Sequence, residues 1–367
     1  MKKVLLTLAL LAFALPARAA ITGFEISGWI PYWKISDGTR DAKRHLSELT
    51  EINPFGYSVK QDGSLNDLAN IKKSDWKNLF SAAKKKNVKI VPTVMWSDAP
   101  AMEKILNNAD TRAAHVKAVA EMVKEGKYPG VDIDYEGKTA ATKDGFSAFL
   151  RELKSALGTK TLSCTIEPRT PRDSLYDVVP TTPPQYSNDY SAIAAACDRV
   201  IIMAYDQRRA DLKLNTANKK VPYVPVADVA WVRKVMTLAL ESIPVGKLSL
   251  GIPTYGQEYQ VTTYPSGYQE YVRVGSRNPD EALKIAKQYK VKPVRQPSGE
   301  LGFTYIPKDS PKNPPNLPAG TKVVNFVTWS DADAVEQKVT LAQQLNLRGV
   351  ALFKIDGGED QSLWNNF

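Results

Sequence analysis

Short apolar runs alternate along this chain with longer amphipathic segments. Runs of four to eight apolar residues read as strands, and apolar residues recurring every three or four positions read as helices. The pattern predicts strands at 25–32, 54–60, 88–95, 130–136, 161–167, 199–205, 247–253 and 348–355. Between them it predicts helices at 41–49, 74–86, 111–125, 142–157, 190–196, 226–242 and 331–345. Ser74 and Asp331 are suited to N-caps, and Gly126 and Gly158 stand where helices should stop. Strand–helix alternation implies parallel strands joined by crossover helices. Eight such units imply an α/β fold, a closed (β/α)8 TIM barrel. An open doubly wound sheet would want a glycine-rich turn after its first strand, and none is present.

One region breaks the alternation. From 257 to 326 the chain is rich in Tyr, Pro, Arg and Lys, with strand-like pieces at 270–274, 303–306 and 323–328 around a helix at 279–289. Within it, 308–320 holds four prolines in thirteen residues and reads as an extended loop. The region is expected to be a small α+β insertion between strand seven and helix seven, walling one side of the barrel mouth. The barrel then comprises 20–256 and 327–367.

Residues 1–19 are read separately. Lys2 and Lys3 precede an apolar run, Val4 to Leu15, and Ala17-Arg18-Ala19 has the small-x-small form of a cleavage site. This is the pattern of a secretory signal peptide, and the run is shorter than the ~20 residues a membrane span needs. The expected location is therefore secreted or periplasmic. The formal charge of +10 becomes +7 without Lys2, Lys3 and Arg18. Such a surface suits an anionic partner such as a cell wall, while no Lys/Arg cluster has nucleic-acid motif spacing. A monomer is the expectation. The two cysteines, Cys164 and Cys197, both fall in or beside core strands; two buried thiols and one bridge are both open. The two histidines, His45 and His115, sit in charged, helix-like surroundings and are expected at the surface. So few histidines argue against Ser-His-Asp catalysis and His-ligated zinc. Gly137-Lys138-Thr139 ends like a phosphate loop, but the required first glycine would fall on Asp132.

The chemistry concentrates in Gly130–Gly137, GVDIDYEG. Alternate strand residues share a face, so Asp132, Asp134 and Glu136 line one side and Val131, Ile133 and Tyr135 the other. The apolar set suits the helix layer, which turns the acids into the barrel. Glu136, last in the run, reaches the C-terminal mouth where barrel enzymes keep their chemistry. Carboxyls that close cannot all ionise cheaply, so one should stay protonated and serve as an acid. Glu136 is the expected acid, Asp134 its partner, and Asp132 the support for Asp134. Clustered acids can also bind Mg or Ca, a competing use of the same residues.

These residues resemble glycoside hydrolase family 18, the chitinase and endo-N-acetylglucosaminidase family, whose strand-four signature is Asp-x-x-Asp-x-Asp-x-Glu. Asp132, Asp134 and Glu136 match its last three acids, and its first falls on Pro129. SGWIPYW (27–33) is similar to the family's first strand, and IIMAYDQ (201–207) to its strand six, giving Met203, Tyr205 and Asp206. LSLGIPTYGQEY (248–259) resembles its strand seven with Tyr255, and GVALFKIDGGED (349–360) its strand eight, with Phe353 where the family has a floor tryptophan. The ending GGEDQSLW (357–364) is similar to members acting on bacterial walls and spore cortex. The resemblance implies a retaining, substrate-assisted glycosidase without metal or cofactor, acting on polysaccharides that contain N-acetylglucosamine. It implies Glu136, Asp134, Asp132 and Tyr205 as catalytic residues and Met203, Asp206 and Phe353 as substrate-binding ones; the strand-end aromatics Tyr32, Trp96 and Tyr255 read as substrate-binding platforms or, equally, as barrel-core packing. Trp33 is a further aromatic at a strand end, and Tyr176 and Tyr186 lie in a loop that could border the groove. A non-catalytic carbohydrate-binding protein on the same scaffold is the alternative; retention of the acids and Tyr205 favours the enzyme.

Overall fold

The computed structural model describes residues 23–308 and 317–367. The leader and most of the proline-rich 308–320 segment lie outside the described residues. Eight parallel strands close into a barrel: β1 (Glu25–Pro31), β2 (Glu51–Val59), β3 (Thr93–Trp96), β4 (Gly130–Tyr135), β5 (Thr161–Ile166), β6 (Arg199–Ile202), β7 (Leu248–Pro253) and β8 (Gly349–Phe353). β1 pairs with both β2 and β8, which shuts the ring. This is the expected (β/α)8 architecture. The expected strand 88–95 is split: Lys89–Ile90 also pairs with β2, and Val91-Pro92 separates it from β3, since a proline cannot donate to the ladder.

The main core lies between barrel and helices. The helix Lys143–Leu157 buries Phe146, Phe149, Leu150, Leu153 and Leu157 on one stripe, against Tyr135 and its neighbours on the outer face of β4. A smaller apolar cluster, Trp29, Phe55, Ile201 and Ala351, fills the barrel interior below the mouth. Cys164 on β5 and Cys197 before β6 form a disulfide, which settles the two options left by the sequence. No helix among the described residues is long and apolar enough to cross a membrane.

Several local expectations are corrected. The first helix runs Ile35–Arg44, not 41–49. Ser74 is the first residue of its helix, and Lys73 occupies the N-cap without a side-chain bond. Asp331 does cap, its carboxylate accepting from Ala334 N. His115 is buried, not exposed. It shares the inner stripe of the helix Ala109–Glu125 with Val116, Val119 and Val123. Its Nδ1 lies 2.6 Å from Gly63 O and its Nε2 2.5 Å from the Tyr135 hydroxyl. A carbonyl can only accept, so Nδ1 carries the proton and Nε2 accepts from Tyr135. Burial pushes the imidazole down to about 4, so it is neutral at ordinary pH.

Between β7 and the helix Ala332–Gln344 stands a five-stranded antiparallel sheet. Its order is Gln269–Arg277, Gly256–Thr263, Lys322–Trp329, Leu301–Tyr305 and Val294–Arg295, with the helix Pro279–Tyr289 beside it. The sequence pattern missed the strand Gly256–Thr263, which pairs with two others. Two buried acids anchor this sheet. Glu258 accepts from Arg277 and Asn325. Glu300 accepts from Val226 N, Ala227 N and Thr328 Oγ1, tying the sheet to the loop that leads into the helix Val229–Leu240.

Candidate active site

The acids of β4 form a ladder from the barrel interior to its mouth. Asp132 is fully buried and accepts from Trp29 Nε1 at 3.1 Å, Thr93 Oγ1 at 2.9 Å and Thr165 Oγ1 at 2.9 Å. It is thereby fixed from β1, β3 and β5. Asp134, one step up, is also buried, and its Oδ1 has no hydrogen-bond partner. Burial first, then the charges of Glu136, Asp132 and Glu167, raise its pKa well above the carboxylate range, with Lys138 opposing. Asp134 therefore keeps its proton to higher pH than an exposed carboxyl would.

Glu136 closes the ladder. Its backbone N–H still pairs with Trp96 O at 2.8 Å, so it is held like a strand residue although its side chain opens into the mouth. Partial dehydration in this concave setting raises its pKa, helped by Glu167 and Asp206 and opposed by Lys138. The chain then turns at Gly137, whose φ of +69° no residue with a side chain adopts easily. No atom stands within 4 Å of a Cβ built there, so backbone conformation, not space, calls for glycine.

The other expected residues surround this ladder. Tyr205 stacks on Phe353 with centroids 5.7 Å apart and meets Tyr255 edge-on. Burial first, then the nearby carboxylates, raise its phenol pKa, so it remains an O–H donor. Asp206 takes a left-handed backbone, φ +53°, and accepts from Tyr255 OH at 2.9 Å and Gln257 Nε2 at 3.1 Å. Phe353 is the hub of the floor, touching Trp29, Phe55 and Tyr255 edge-on. Its peptide bond to Lys354 is cis, and Thr254 bonds both the N–H and the C=O of Lys354.

Two hollows flank this floor. One, about 400 Å³, is lined by Tyr32, Phe55, Met95, Trp96, Asp98 and Glu136 among others. The other, about 420 Å³, is lined by Trp33, Asp206, Tyr255 and Phe353 from the barrel, by Arg273 from the added sheet, and by Asn278 and Glu281 at the start of the helix beside it. The sheet thus walls one side of the mouth. Larger hollows of about 670 and 740 Å³ contain none of the β4 acids. Not every expected platform is accessible. Trp96 is 4% exposed and packs on Tyr135 and His115, whereas Trp33 is 48% exposed at the rim. Met203 is buried and lines neither hollow. Tyr176 lines neither hollow, and Tyr186 is stacked under the Arg169 guanidinium.

Sequence reasoning missed two charged residues. Glu167, just past β5, accepts from Gly137 N at 2.8 Å and Asn188 Nδ2 at 2.7 Å. Lys138 has a fully buried side chain that donates to Tyr135 O and lies 3.5 Å from Glu167. An acid at the C-terminal end of an expected barrel strand was the available signal for Glu167. Lys138 stands in the rejected Gly137-Lys138-Thr139 pattern, and nothing local marks its burial.

Comparison with known proteins agrees with the barrel fold. Residues 25–358 match the model of glycosyl hydrolases family 18. The uncharacterized glycosylase YvbX of Bacillus subtilis is 23% identical over 269 residues, 73% of this chain and 68% of that protein. The spore cortex-lytic enzyme SleL of Bacillus megaterium superposes with a TM-score of 0.69 at 23% identity, over 93% of this chain and 72% of its own. A class V chitinase of Pseudomonas fluorescens superposes with a TM-score of 0.71 at 22% identity, over 93% of this chain and 98% of its own.

Proposed function

Because the chain belongs to glycosyl hydrolases family 18, and is a glycosidase, we propose that it is an exported, retaining enzyme that cleaves β-linked glycans next to N-acetylglucosamine. The observation that carries this reading is the β4 ladder: a supported Asp132, a buried Asp134 whose pKa is raised, and a raised Glu136 ending in an open mouth beside Tyr205.

Glu136 donates its proton to the glycosidic oxygen as the C1–O bond breaks. The carbonyl oxygen of the substrate's own 2-acetamido group attacks C1 from the opposite face and forms the new bond. Asp134 and the Tyr205 hydroxyl hold that acetamido group in line. Water then attacks C1, giving its proton to the Glu136 carboxylate and breaking the bond to the acetamido oxygen. Two inversions leave the configuration retained. This route uses no enzyme nucleophile, unlike the two-carboxylate scheme. Phe353 offers a smaller stacking face than a tryptophan would, and Trp33 and Tyr32 extend the aromatic floor.

Chitin and peptidoglycan share the 2-acetamido sugar that this chemistry requires. SleL favours the second by its name and the Pseudomonas protein the first. The positive surface favours association with an anionic wall. Wild type and Glu136→Gln, each incubated with chito-oligosaccharides and with purified peptidoglycan, decide by mass spectrometry of the products. Cleavage beside N-acetylglucosamine by wild type, with a loss of about 10²–10⁴-fold in the variant, is the expected result. Binding without cleavage by both would leave a carbohydrate-binding protein and overturn the reading.

A further inference from the structure

A lysine with no exposed side-chain surface needs a reason, because burying its charge is expensive unless partners compensate. Lys138 lies directly beyond the catalytic strand. The left-handed turn at Gly137 folds it back, so that its ammonium donates to Tyr135 O and sits 4.6 Å from the Phe146 ring centroid. The nearest acid is Glu167 of the neighbouring strand end, at 3.5 Å. Glu167 accepts two further hydrogen bonds, from Asn188 and from the N–H of Gly137. That N–H belongs to the peptide immediately after Glu136. A carboxylate from β5 therefore grips the backbone that aims the proton donor, and a buried cation holds that carboxylate.

We propose that Lys138 and Glu167 act as a positioning pair for Glu136, fixing the turn that aims it and setting the pH range over which it can donate a proton. The inference rests on the reading of Glu136 as general acid. Both residues act through Glu136 and need not touch substrate.

The electrostatic surroundings of Glu136 are defined on every side. Asp134 and Lys138 face it from its own strand and turn, Glu167 from β5, Tyr205 and Asp206 from β6, and Tyr32 after β1 and Asp98 after β3 border the same hollow. Among these, Lys138 is the buried cation in a field of carboxyls. Its charge favours ionisation of Asp134 and Glu136, while that of Glu167 disfavours it. Glu167 itself, which burial alone would raise, is brought below its usual range by Lys138 and its hydrogen bonds, so it stays charged. The two members of the pair therefore push Glu136 in opposite directions.

This opposition gives a test that a purely structural role would not meet. The pH profile of kcat/KM would be measured on the purified full-length protein and on Glu167→Gln, Glu167→Ala, Lys138→Met and the double variant Lys138→Met/Glu167→Gln, with folding checked by circular dichroism. The substrate is the one cleaved by wild type. The alkaline limb reports loss of the proton from Glu136 in the free enzyme. Glu167→Gln removes a negative neighbour and should move that limb to lower pH. Lys138→Met should move it to higher pH, and the double variant should return it towards wild type. Glu167→Ala also loses the acceptor for Gly137 N–H, so its plateau kcat should fall below that of Glu167→Gln, by up to about 100-fold for a misaimed acid. If Lys138→Met does not fold, the Glu167→Gln limb and the Gln-to-Ala difference carry the test. An unmoved limb in Glu167→Gln overturns the proposal while Glu136→Gln remains inactive. Activity retained by Glu136→Gln would instead overturn the general-acid reading beneath it.

Discussion

The two ends of the barrel interior carry buried charge in different ways. At the base, Arg199 is 2% exposed, donates to Ser163 Oγ at 3.1 Å, and pairs with Glu51 and with Glu25 at 3.5 Å. Arg348 completes the set with a 2.8 Å bond to Glu25. Burial alone would lower the Arg199 pKa, but Glu51 first, then Asp132 and Glu25, raise it, so it stays charged. At the mouth, Glu167, Asp134 and Glu136 gather around one buried lysine, and Asp206 adds its charge beside Glu136. There the negative charges outnumber the positive, and a carboxyl must keep its proton. Balanced buried charge closes a barrel; unbalanced buried charge stores a proton where a substrate can reach it. The contrast separates supporting ion pairs from chemistry without reference to any relative.

Breaking the base should cost stability and leave chemistry alone. Arg199→Met strands Glu51 without its cation and should destabilise the fold by about 3–5 kcal/mol. Denaturant unfolding reads the loss, and kcat/KM of the folded fraction should be unchanged. A large drop in kcat/KM would dissolve the distinction between the two ends.

The mouth should respond the other way. The folded-state pKa of Asp134 lies above its unfolded value, so its contribution to stability is lost as pH rises through the unfolded pKa towards the folded one. Asp134→Asn removes that loss. At neutral pH it should raise Tm, by roughly 2–4 °C for each kcal/mol relieved, while cutting activity sharply because a neutral amide holds the acetamido group less well than the carboxyl does. A variant both less stable and inactive would show that Asp134 is structural.

A third site sharpens the comparison with the smallest expected effect. Glu359, 5% exposed, is pushed up to about 9, by burial first and then by a shared hydrogen bond with Asp41. From about pH 4.5 to about 9 the unfolded state releases a proton that the folded state keeps, so stability falls across that window. Glu359→Gln should flatten the fall, narrowing the Tm difference between pH 5 and pH 9. Activity should hardly move, because the pair lies apart from the β4 ladder.

How far the sequence led depends on how local each signal was. The period-two acids of β4 needed only neighbours two residues apart, and they placed Asp132, Asp134 and Glu136 on the inner face. The helix Pro279–Tyr289 falls on the expected bounds, and the structure shows an asparagine cap, a proline and a glutamate together at its start. Glu167 and Lys138 were not legible, because their meaning lies in contacts across strand ends and around a glycine turn. The strand Gly256–Thr263 was missed because its sequence, GQEYQVTT, is polar at positions that the sheet pairs on both edges. His115 was misplaced because charged neighbours hid its position on the apolar stripe shared with Val119 and Val123.

That histidine also has an experimental use. The chain has only two, so imidazole nuclear magnetic resonance signals are few enough to assign by a single substitution. The Nδ1 proton of His115, held on Gly63 O and away from solvent, should exchange slowly and resonate far downfield. Its other nitrogen faces the hydroxyl of Tyr135, the residue between Asp134 and Glu136 on the chain. The protein thus carries an intrinsic label on the reverse side of its acid-bearing strand. A titration with oligosaccharide, watched at that one resonance, would report occupancy of the mouth with no dye, tag or chromogenic substrate.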